Sequence, residues 1–139
     1  MGAREIVIDQ VNRMEEFMKG CEQAEIPVIS NNVNGMYTRE ILIRKDVVLT
    51  GRVHLFPYVD IMLSGDITIR TPDGLTRYTG ANVFYGEAGR KRIGYAHEDT
   101  RWITVHNTPI TDGDDFYKLL TVATLDEFNQ ILLEGKKCL

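Results

Sequence analysis

Cysteine is scarce in this chain. Cys21 and Cys138 are the two residues present, one near each end. A disulfide framework is excluded by that count, and the spacing fits neither a zinc ribbon nor a redox pair. Two free thiols in a reducing compartment are expected. An excess of positive charge is also lacking: 16 Lys and Arg face 20 Asp and Glu, for a formal net charge of −4. Binding to a nucleic acid polymer draws on phosphate contacts from a basic face, so no such partner is expected. No run approaches the roughly twenty apolar residues of a membrane-spanning helix, so no membrane partner is expected either. The opening MGAREIVIDQ has no apolar export core. Its Met-Gly start is followed at position six by Ile6 rather than Ser or Thr, so the myristoylation pattern fails. A cytoplasmic protein is the expectation.

Other chemistries are missing as well. No Ser-His-Asp order or reactive cysteine setting is visible. No glycine-rich phosphate loop precedes a helix. Asp112, Asp114 and Asp115 cluster in one loop, but the alternating ligands and distal glutamate of a calcium loop are absent.

What is present is one domain's worth of chain, 139 residues with 43% hydrophobic side chains. Residues 1–25 read as a helix, because Val7, Val11, Met14, Phe17, Met18 and Cys21 recur at helical spacing. It should end near Gly20 and before Pro27. Residues 26–123 read as β: short runs rich in β-branched residues alternate with turns such as TPDGL at 71–75 and the break at Ser64-Gly65-Asp66. DFYKLLTVAT supplies a last strand. Residues 124–139 read as a second helix, with Thr124 and Glu127 forming a capping box and Gly135 a C-terminal stop. Many short strands without intervening helices imply an antiparallel sandwich or barrel.

The densest chemistry lies in GRKRIGYAHEDTRWITVH, from Gly89 to His106. Strand alternation puts Trp102, Thr104 and His106 on one face and Arg101, Ile103 and Val105 on the other. Ile103 and Val105 are assigned to the core. His97 is placed in a turn-like AHEDT, and Glu98-Asp99-Thr100 is read as a turn with structural hydrogen bonds. Arg90 and Lys91 stay open between a solvated turn and a binding role.

Two segments resemble the motifs of the cupin superfamily. GRVHLFPYVDIMLSGDITI starts at Gly51, carries His54 and closes at Gly65, like the family's first motif. The second runs from Gly80 to GEAGRKR, with EAG standing where the family usually has Pro-x-Gly. Residues 36–111 are similar above all to small cupin-like proteins of bacteriophages. The resemblance implies a mostly β fold: a cupin-type antiparallel β-barrel (double-stranded β-helix or jelly roll) with N-terminal and C-terminal helices, and a homo-oligomer.

Cupin metal sites use three histidines and an acid. Carried over by position, these fall on Arg52, His54, Tyr58 and Arg92, so one ligand of four survives. Arginine stays protonated and cannot ligate, and its charge repels a cation. No metal and no cofactor are expected. The same replacement suits an anion, because arginine forks hold phosphate or carboxylate in a bidentate manner. Arg52, His54, Tyr58, Asp60 and Arg92 are expected to line one cavity, with Tyr85, Tyr95 and Trp102 available to stack on a flat ring. His106 is left either in the cavity or at an oligomer contact. The implied function is a non-catalytic phage cupin that binds a small anionic, nucleotide-like molecule, sequestering a host immune signal. Two alternatives stand beside it. One is an enzyme: a metal-dependent dioxygenase or isomerase, or a metal-free sugar-nucleotide isomerase using His54 with Tyr58 or Asp60. The other is a virion-associated structural protein whose terminal helices pack between subunits.

Overall fold

The computed structural model describes residues 2–71, 74–108 and 120–134. Helix α1 spans Ala3–Met18, ending close to Gly20 as expected and short of residue 25. Its last turn closes with the Lys19 N–H donating to the Glu15 carbonyl and the Gly20 N–H donating to the Phe17 carbonyl, at 3.1 and 3.2 Å. Ile8 and Val11, one turn apart, are buried, whereas Met14 and Phe17 of the expected apolar stripe are exposed. The helix therefore docks through a face that carries Ile8, Val11, Asn12 and Glu15.

Nine strands follow among the described residues: β1 (Val28–Val33), β2 (Met36–Ile43), β3 (Val48–Thr50), β4 (Val53–His54), β5 (Tyr58–Thr71), β6 (Gly74–Thr79), β7 (Asn82–Gly86), β8 (Ile93–Asn107) and β9 (Thr121–Val122). The main sheet runs β1-β2-β8-β5-β6, with β3 also on β8 and β7 also on β5; β4 and β9 form a separate pair. Every pairing is antiparallel. Helix α2 (Leu125–Leu133) closes the described chain. Thr124 caps it as expected, while the Glu127 carboxylate reaches back to the residue before the cap. Glu127 N–H donates to Thr124 Oγ1 at 3.2 Å, and Glu127 Oε2 accepts from the Ala123 N–H at 3.3 Å. This is the expected mostly β, antiparallel fold flanked by two helices. Among the described residues no helix is long and apolar enough to cross a membrane.

Several local expectations are corrected. Ser64-Gly65-Asp66 does not break the chain; it shifts the register inside one 14-residue strand. The shift is a bulge. Inward side chains are Tyr58, Asp60 and Met62 before it, and Ile67 and Ile69 after it. Gly65 permits this with φ +124°, and a Cβ there would overlap Thr100. AHEDT is not a turn but the middle of the 15-residue β8. There His97 Nε2 and Thr68 Oγ1 share a hydrogen bond of 2.7 Å. Asp99 does play a structural part, accepting from the Lys45 N–H at 2.8 Å. Of DFYKLLTVAT, the described residues show strand only at Thr121–Val122, with Leu120 in helical conformation before it and the earlier residues outside the described ones. Pro72, Asp73, the acidic loop, Gly135 and Cys138 lie outside the described residues, while Cys21 is an exposed free thiol.

The faces of β8 are the reverse of a hydrophobicity rule. Trp102 and His106 are buried inward with Thr104 between them, and Ile103 and Val105 sit half-buried on the outer face. The core holds Ile43, Met62, Ile67, Ile69, Ala96 and Trp102, with Phe84 packed against it. Ile43, Ile69 and Trp102 of this core also border a cavity, and a second, smaller cluster joins Tyr37, Leu120 and Phe56.

Candidate functional site

The interior is laid down in rows by strand register. Tyr37 pairs with His106 across β2 and β8, and Tyr58 pairs with Gly86 across β5 and β7. The next inward row is Arg39, Thr104, Asp60 and Phe84. The row after that is Ile41, Trp102, Met62 and Asn82. Gly86 is required by its neighbour, because a Cβ there would overlap the Tyr58 ring. His54 reaches the same end from β4, held against β9 by its pairing with Thr121. Arg52, just before β4, donates from Nε to Thr121 Oγ1 at 2.8 Å.

These rows enclose a cavity of about 410 Å³, within the range of small-molecule sites. Four arginines line it, Arg39, Arg52, Arg90 and Arg92, against one carboxylate, Asp60. Arg92 Nη1 donates to Asp60 Oδ2 at 3.3 Å, and Thr104 Oγ1 donates to Asp60 Oδ1 at 2.7 Å. Burial raises the pKa of the Asp60 carboxyl despite these partners, which act in the opposite direction. The Arg92 guanidinium also lies over the Phe84 ring, 5.7 Å from its centroid.

Beside the arginines stands a ring stack. His54 lies on Tyr58 with centroids 3.9 Å apart, and its Nδ1 is 3.1 Å from His106 Nε2. One hydrogen serves that contact, and a second proton would set two N–H groups against each other. Burial, His106 and the nearby Arg92 and Arg39 hold His54 down to about 3. Burial lowers His106 to about 4 and raises Tyr58 to about 12. Both histidines are neutral near pH 7.

A metal of the family type does not fit these residues. Among the described residues no group of three or more His, Cys, Asp or Glu gathers to hold an ion. The positions flanking His54 carry fixed positive charge instead.

Of the nine residues singled out from the sequence, Arg52, His54, Tyr58, Asp60, Arg92 and Trp102 line the cavity. His106 is buried behind His54 and resolves into the interior, not onto an outer face. Tyr85 and Tyr95 are not in the site. Tyr85 is 76% exposed on the outer face of β7, because alternation from inward Phe84 sends it out. Tyr95 also points outward and donates to Asp46 Oδ1 at 2.8 Å. Trp102 is largely covered, stacked on Phe84 with centroids 5.1 Å apart. Arg90 lines the cavity, but Lys91 is neither a solvated residue nor a ligand-binding one. Only 4% exposed, it donates to Asn12 Oδ1, Glu15 and the Ala123 carbonyl at 2.8, 3.2 and 3.0 Å. Sequence reasoning missed Arg39. The alternation of MYTREILI, which sets Tyr37, Arg39, Ile41 and Ile43 on one face, was the available signal.

No protein-family model and no curated protein sequence matches the chain. Solved structures do. Ectoine synthase from P. lautus superposes with a TM-score of 0.57 at 14% identity, over 73% of this chain and 78% of that one. A cupin superfamily protein from Desulfitobacterium hafniense gives 0.52 at 7% identity, over 63% and 82%. The cupin-2 domain of an XRE family transcriptional regulator from Enterobacter cloacae gives 0.51 at 6% identity, over 63% of this chain and all of that domain. At such identities the likeness is one of fold, and the fold of this chain is that of the cupin superfamily.

Proposed function

We propose that this chain is a non-catalytic binding protein that holds a small anionic molecule inside its barrel. The observation that carries the reading is the lining of one cavity by four arginines and a single carboxylate. Guanidinium groups stay charged at any working pH and offer paired donors to carboxylate or phosphate. A nucleotide-like ligand, sequestered rather than converted, is the form suggested by the sequence resemblance to phage cupins. Of the three aromatic side chains expected to stack on its base, only Trp102 lines the cavity, and Phe84 already covers one face of that ring, so the reading rests on the anionic group alone.

The protonation states favour binding over acid–base turnover. A general base works best with a pKa near the working pH. Here the histidines are held at about 3 and about 4 and the tyrosine at about 12, away from neutrality on both sides, and Asp60 alone is shifted the other way, by burial.

Isothermal titration calorimetry against cyclic nucleotides, ADP-ribose and simple carboxylates tests the reading. At least one anion should bind, and Arg92→Gln should weaken it at least tenfold, the loss typical of one charged hydrogen bond. Absence of heat with every anion would sink the proposal.

A further inference from the structure

The cavity is charged at one end only. Along β2, Arg39 is followed on the inward face by Ile41 and then Ile43, and all three line the cavity. Four residues of strand separate the first from the last, about 13 Å at roughly 3.3 Å per residue. Across from them stand Leu49 and Ile69, which both pair with Gly94 and face the same space. Trp102 completes the apolar wall, with one ring face already covered by Phe84. The charged groups cluster at the opposite end, where Arg39 and Arg92 both act on His54, and Arg90 and Arg92 on Tyr58 and Asp60.

Resting on the anion-binding reading above, we infer that the ligand is an amphipathic anion: a carboxylate or phosphate monoester with an aliphatic body, not a stacked base. The arginines take the head. Aliphatic side chains from β2, β3 and β5 surround the rest, and they offer hydrogen bonds to nothing that a sugar or nucleobase carries. A nucleoside placed there would leave its polar edges unpaired against isoleucine and leucine. Two of the three aromatic side chains expected to stack on a base, Tyr85 and Tyr95, point outward.

A homologous series tests this on the unmodified protein. Acetate, butyrate, hexanoate and octanoate are titrated by calorimetry alongside AMP and inorganic phosphate. Emission of Trp102, the single tryptophan of the chain, reports occupancy of the apolar end. The expected result is an affinity that rises about fourfold per methylene, with octanoate binding more tightly than AMP and shifting the emission. Leu49→Asn should then weaken octanoate by a larger factor than it weakens acetate or phosphate. An affinity independent of chain length, or AMP binding more tightly than octanoate, overturns the aliphatic assignment and leaves the anion site standing. Failure of every anion to bind overturns both.

Discussion

Asp60 is the residue on which the charge of the site turns. It is buried, it accepts from Thr104 and Arg92, and burial works against its ionised form. It is also the one carboxylate among the lining residues, so its charge opposes the anion that the arginines attract. Asp60→Asn keeps an oxygen for Thr104 and removes that charge. Anion affinity, read by calorimetry at constant ionic strength, should rise about three- to tenfold, the scale of one unit charge a few ångströms away in a partly hydrated site. Unchanged or weaker binding would mean that Asp60 serves chiefly to aim Arg92. Residues of this kind were legible where a family motif marked them. Arg52, His54, Tyr58 and Arg92 could be placed by motif, and Asp60 by strand alternation from Tyr58. Arg39 has no motif, and Tyr85 and Tyr95 were misplaced because aromatic character says nothing about which face of a strand a residue occupies.

At the level of elements, α1 is joined to the barrel by polar contacts as well as by the buried Ile8 and Val11. Lys91 sits nearly dry between Asn12, Glu15 and the Ala123 carbonyl, and Glu15 also accepts from Thr50 Oγ1 at 2.7 Å. One side chain thus ties the first helix to the segment that follows β9. Lys91→Met keeps the bulk and removes the charge, leaving a partly hydrated carboxylate and an orphaned carbonyl. The expected cost is about 1–3 kcal/mol, measured by chemical unfolding. Faster amide exchange across Ala3–Met18 should accompany it, with β5 and β8 unaffected. The elements themselves were readable from alternation and turn chemistry. Their inner and outer faces were less so. Apolar side chains normally mark the inside, yet β8 carries Ile103 and Val105 outward because its inner face builds a polar cavity. Lys91 was unreadable for a related reason: a lysine between two arginines looks solvated until a helix from far along the chain covers it.

For the whole molecule, the buried ring stack links folding to pH. His54 and His106 are held at about 3 and about 4, below the ordinary 6.5. Below pH 6.5 the unfolded chain takes up these protons while the folded chain does not, so stability is complete above that pH and falls as acid is added. By pH 5 the loss should reach about 2 kcal/mol for each histidine. Urea midpoints at pH 7.5, 6.5, 5.5 and 5.0 check it in a window where most carboxylates remain ionised. A flat profile would mean that both rings gain partners on protonation. The overall architecture was accessible from sequence, since β texture between two helices and two motif segments led to the barrel observed. The bulge in β5 was not, because Ser64-Gly65-Asp66 has the composition of an ordinary turn. That bulge acts as a frame correction. Before it the inward residues of β5 are even-numbered and polar or mixed; after it they are odd-numbered and aliphatic. Removing one residue from positions 63–66 would leave both halves of the strand well formed and yet turn one of them inside out. The charged end and the apolar end of the cavity are therefore free to vary by substitution, while the length of the segment joining them is fixed.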